Sequence, residues 1–139
     1  MAVTSTPIYA QKVQSWAAQV LPADTTTKKT IVTAGANGTQ LSSLTITSTD
    51  TAAQNMIFWL FDGTTSHQLA YIAIPANSGN TAAAAPVDVF RSLFFPGMQL
   101  DPFGNKVLNL PSGWTLQGSM VATITAAKVV EVIAQGGDY

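Results

Sequence analysis

From Lys28 to the C-terminus, glycine, proline, asparagine or aspartate interrupts the chain before any long element can form. KKTIVTAG reads as a strand ending at Gly35, and Asn37-Gly38 is a tight-turn signal. In TQLSSLTITST the apolar residues Leu41, Leu44 and Ile46 change from a three-residue to a two-residue step, which predicts a bulge near Ser42-Ser43. NMIFWLFDG is a nearly continuous apolar strand closed by Asp62-Gly63, so both of its faces are expected to be covered, one by a second sheet and the other by a partner or the N-terminal segment. HQLAYIAIPA, PVDVF, KVLNL, WTLQGSMVATIT and KVVEVIAQ follow, with Val130, Val132 and Ala134 opposing Val129, Glu131 and Ile133. About eight strands at spacings of roughly 8 to 15 residues, with no convincing helix between them, predict an all-β antiparallel sandwich or jelly roll.

Two segments depart from this rhythm. Residues 1–25 carry Ile8, Tyr9, Val13 and Trp16 without a cap or a clear alternation. A short helix and a docked extended arm remain open, and the segment is read as an N-terminal arm preceding a sandwich domain over residues 26–139. RSLFFPGMQLDPFGN is the other, a connection rich in Leu93, Phe94, Phe95, Met98, Leu100 and Phe103. Loops this apolar pack under the domain or against a neighbour. Ile8, Tyr9, Val13, Trp16, Leu93, Phe94, Phe95, Met98 and Phe103 are therefore the candidate interface residues, whereas Trp59 and Trp114 are expected in the core.

Composition narrows the function. The 139 residues make one domain, long enough to bury roughly two-thirds of the unfolded chain's surface. Charged residues are only 9% of the chain, against about 25% in an ordinary soluble domain. Little electrostatic repulsion then keeps copies apart, which suits a packed assembly. Lys28-Lys29 is the one adjacent pair among six cations, so phosphate-driven binding of nucleic acid is not expected. With no run of 18 apolar residues and no basic n-region before an apolar stretch, neither membrane insertion nor export is expected, and the chain should fold in the cytoplasm.

Catalytic chemistry finds little footing. There is no cysteine, and His67 is the sole histidine, which excludes thiol nucleophiles and Cys/His zinc sites. Asp62 lies near His67, but no G-x-S-x-G elbow accompanies them, and a turn position suits a solvated histidine. The acids are scattered beside turns, without D-x-D-x-D spacing for calcium or a clustered pair for glycoside hydrolysis. TAGANG and SGN lack the order of a phosphate loop and read as hairpin turns. No catalytic residue, metal or cofactor is assigned. Trp16, Trp59, Trp114, Tyr9, Tyr71 and Tyr139 could form a sugar-stacking platform, the main alternative to assembly.

Taken together, TAGANGTQLSSLTITSTDTAAQN, IPANSGNTAAAAPVDV, LNLPSGWTL and the ending VIAQGGDY resemble the small head decoration, or cement, proteins of tailed bacteriophages. The resemblance spans most of the chain and rests on turn and strand motifs. It implies a non-enzymatic virion protein, made in the host bacterial cytoplasm, that binds the capsid exterior as a symmetric oligomer, a trimer before a dimer. Its partners would be the major capsid protein and itself, and its role would be to clamp the lattice against internal pressure. A carbohydrate-binding or small structural β module of a phage tail or fibre is the alternative.

Overall fold

The computed structural model describes residues 10–96 and 99–139. Of the interface candidates, Ile8, Tyr9 and Met98 lie outside the described residues. Among the described residues nine strands follow in chain order: β1 (Lys12–Val20), β2 (Lys29–Thr33), β3 (Thr39–Ser48), β4 (Gln54–Phe61), β5 (Ser66–Ile74), β6 (Val87–Asp88), β7 (Leu108–Leu110), β8 (Thr115–Met120) and β9 (Val130–Asp138). They form two antiparallel sheets. One has the order β1-β9-β3, with β6 and β7 sharing the free side of β3; the other has the order β2-β8-β4-β5. The chain passes between sheets at most connections, which is the winding of a jelly roll. Asn37-Gly38 does make a tight turn, with the Gly38 amide donating to the Gly35 carbonyl at 3.0 Å, but it links strands of different sheets. The expected hairpin at TAGANG is thus a corner, as is SGN between β5 and β6.

The alternating inward residues make the core. Leu41, Leu44 and Ile46 of β3, Met56 and Phe58 of β4, Ile72 and Ile74 of β5, Leu116 and Met120 of β8, and Val130, Val132 and Ala134 of β9 are all buried. Each large apolar side chain removed from water contributes about 2 kcal/mol. The bulge sits where the sequence step changes: Leu41 pairs Gly136, and Ser43 pairs Gln135, leaving Ser42 extra. Trp59 and Trp114 are half-buried and lie outside the buried core set, contrary to expectation. Trp59 faces outward from β4 because Phe58 takes the inward position; its indole Nε1 donates to the Ser119 hydroxyl at 2.9 Å, and the Lys28 ammonium lies 3.8 Å from its ring centroid.

The segment from Lys12 to Val20 is neither a helix nor a separate arm. It pairs with β9 along its whole length, from Lys12 opposite Asp138 to Val20 opposite Val130, so the sheet begins well before residue 26. Trp16, Ala18 and Val20 turn toward the core, while Val13, Ser15, Ala17 and Gln19 face out. Both of β9's neighbours press on its glycines. A Cβ on Gly136 would collide with the Gln40 carbonyl and stand 2.9 Å from the Leu41 Cα, and one on Gly137 would stand 2.7 Å from the Ala10 Cβ and 2.9 Å from the Lys12 carbonyl. Gly136→Ala should therefore destabilise the fold by about 2 kcal/mol or more, read by chemical denaturation.

Asp50 closes the far end of the sandwich. Its buried carboxylate accepts from the Ala52 amide, the Gln54 side chain, and both the amide and the hydroxyl of Thr125, at 2.7–2.9 Å. Burial pushes this carboxyl up, and those donors, the Thr125 and Ala52 amides foremost, outweigh burial and bring it down to about 2. A lowered folded-state value stabilises the folded protein once pH exceeds the unfolded value of about 4, and that stability is lost as pH falls through about 2. Asp50→Asn should cost about 2 kcal/mol at neutral pH and flatten the loss of stability between those two pH values, measured by denaturation across pH.

Candidate functional site: an apolar insertion on one sheet edge

The edge strand beside β3 is interrupted. β6 pairs with Thr45 and Ile46, β7 pairs with Thr39 to Leu41, and residues 89–107 leave the sheet between them. The first half of this insertion is pinned from beneath. Asp88 accepts from the Arg91 amide at 3.4 Å and starts a 3-10 turn over Val89–Arg91. Phe90 and Phe95 are both buried, with ring centroids 5.1 Å apart and planes tilted by 45°. Between them Ser92 organises the backbone, its hydroxyl accepting from the Phe94 amide and its carbonyl from the Phe95 amide, each at 3.2 Å. With both flanking rings inside, Leu93 and Phe94 can only point outward.

The second half is a small hairpin. The Val107 amide donates to the Gln99 carbonyl at 2.9 Å, the Asp101 amide donates to the Asn105 carbonyl at 2.8 Å, and Leu100 bridges Lys106. Asp101 holds the tip: its carboxylate accepts from the amides of Phe103 and Asn105, both at 2.8 Å, and from the Asn105 side chain at 3.0 Å. These donors, Asn105 foremost, keep its carboxyl below the ordinary value. Gly104, at φ +83°, supplies the left-handed residue that the turn needs.

The outcome is a set of apolar side chains displayed on two hydrogen-bonded segments, residues 89–96 and 99–107. Leu93 is 97% exposed, Phe103 89%, Phe94 74% and Leu100 62%. Phe94 also borders a shallow hollow of 390 Å³ with Asn55, Tyr71 and Ala73 of the second sheet, so the apolar surface continues past the insertion. Exposed large apolar groups displayed on one insertion make it the candidate interaction surface.

Three of the sequence candidates, Leu93, Phe94 and Phe103, thus lie on one insertion. Phe95 does not share the surface; it is the plug that holds the insertion down. Val13 is exposed but stands on β1, the opposite edge of the sheet, and Trp16 packs against the core. Leu100 and Tyr71 join the surface without having been singled out as interface residues. The sequence did carry the signal for the tip, an aspartate followed at three and four residues by glycine and asparagine.

His67 stands near the start of β5, just beyond the β4–β5 turn. Its Nε2 lies 3.0 Å from Asp62, whose carboxylate also accepts from the amides of Thr64 and Thr65. Those contacts, Thr65 first and His67 next, bring Asp62 down to about 2. The neighbouring Ser66 hydroxyl donates to Gln117, so this trio is directed into the turn and the sheet. No protein-family model, curated protein or solved structure matches the chain.

Asp101→Ala removes the acceptor for three hydrogen bonds at the tip. Amide exchange at Phe103 and Asn105 should rise about tenfold or more while the global melting temperature moves little, as measured by hydrogen exchange.

Proposed function

We infer that the chain is a non-enzymatic structural protein of a tailed-phage head, a jelly-roll subunit that docks on the capsid exterior and on copies of itself and stabilises the lattice. The observation that carries this reading is the fixed display of Leu93, Phe94, Leu100 and Phe103 on an insertion rooted in the core by Phe90 and Phe95. An apolar patch on a stiff backbone loses little entropy on binding, the condition for an interface that forms repeatedly across a symmetric shell. The scarcity of charge favours the same use, since no strong like-charge field opposes close packing of copies. The resemblance of the turn motifs to head decoration proteins names the shell; the fold alone does not, because jelly rolls serve unrelated functions.

The test is add-back of purified protein to heads that lack it. Leu93→Asp and Phe103→Asp should each leave the melting temperature within about 1 °C while weakening head binding by about thirtyfold, the loss of a 2 kcal/mol anchor. Unaltered binding by both variants would move the interface off the insertion, and failure of the unmodified protein to bind heads would sink the assignment to a capsid.

A further inference from the structure

Beneath the same insertion lies a groove with a different chemistry. We propose that it is a binding site for a neutral saccharide, separate from the apolar surface used for docking. The groove has a volume of 430 Å³ and opens where the edge strand is missing, with Ser42 and Ser43 of the β3 bulge as its floor. Asp88 and Arg91 line it from the β6 side, and Asp101, Asn105 and Lys106 line it from the hairpin. In a chain with 13 charged side chains, Asp88, Arg91, Asp101 and Lys106 all belong to the stretch 88–106 and meet around one hollow against the distant Ser42 and Ser43. Its volume falls within the range of about 300 to 1,000 Å³ typical of small-molecule sites.

The ligand class follows from how those groups are occupied. Two carboxylates and two cations leave the groove without net charge, so neither an anion nor a cation is drawn in preferentially. Asp88 is engaged by Arg91 at 3.4 Å, and the Asp101 oxygens are held by Phe103 and Asn105, which leaves no open carboxylate pair for a metal. Among the described residues no three metal-ligating side chains cluster anywhere. An apolar ligand would strand the Ser43 hydroxyl and Lys106, which makes no ion pair among the described residues. Hydroxyl groups that donate and accept at once match this lining: cations and Asn105 to donate, serine oxygens and the remaining carboxylate lone pairs to accept. Gly104 borders the groove without obstructing it, since a Cβ built there would meet nothing within 4 Å.

The experiment is an amide-resolved NMR titration of the full chain with trisaccharides of glucose, galactose, mannose and N-acetylglucosamine, and separately with phosphate and calcium. At least one trisaccharide should give saturable shifts at Ser43, Asn105 and Lys106 at millimolar concentration. Arg91→Ala and Lys106→Ala, whose folding is checked by the same spectra, should each weaken that binding about tenfold, the loss of one charge-assisted hydrogen bond. The proposal is overturned if no trisaccharide shifts these amides, if the shifts fall on Trp59 and Tyr71 instead, if phosphate or calcium alone produces them, or if both variants bind as the unmodified protein does.

Discussion

The antiparallel ladder between β3 and β9 carries the rest of the molecule. It runs from Thr39 opposite Asp138 to Ser48 opposite Val130, and it supplies six fully buried apolar side chains: Leu41, Leu44, Ile46, Val130, Val132 and Ala134. Every other member of that sheet hangs on one of these two strands: β1 on β9, and β6 and β7 on β3. The glycines at 136 and 137 let both neighbours approach β9 closely enough for the ladder to form on each side. Because the pairing joins the third strand to the last, nearly the whole chain must be in place before it closes, so its cost in loop entropy is set against a large buried area.

The candidate interaction surface depends on that ladder through β3. The bulge at Ser42 bends the strand at the point where β6 stops and β7 has yet to begin, and residues 89–107 fill the interruption. Phe90 and Phe95 enter the core there, and Asp101 stiffens the outer hairpin, so Leu93, Phe94, Leu100 and Phe103 are displayed at small entropic cost. The same insertion lends polar side chains to the hollow against the β3 bulge, so one excursion from one strand carries both proposed sites.

Much of this could be read from the residues alone, and the failures have physical causes. The β3 bulge was visible in the spacing of Leu41, Leu44 and Ile46, and the faces of β9 in the alternation of Val130, Val132 and Ala134. β1 was not recognised because its inward positions include Ala18 and Gln14, while Val13 and Trp16 imitate a helical spacing from opposite faces. For adjacent Phe94 and Phe95, the sequence does not say which ring goes inward; the Ser92 turn decides it. The apolar run of β4 suggested cover on both faces, yet β1 lies in the other sheet, and Trp59 is shielded locally by Lys28 and Ser119. The charged groove was invisible because its charged members, spread over residues 88–106, close a hollow only where the fold sets them against Ser42 and Ser43.

A high-resolution image reconstruction of decorated heads decides whether the apolar insertion is the face that meets the capsid, as proposed. Density for this jelly roll is expected on the outer shell, with Leu93, Phe94 and Phe103 buried against a capsid subunit or a sister copy. Heads carrying the protein with Leu93, Phe94 and Phe103 facing solvent, or heads that never carry it, would overturn the proposed docking face.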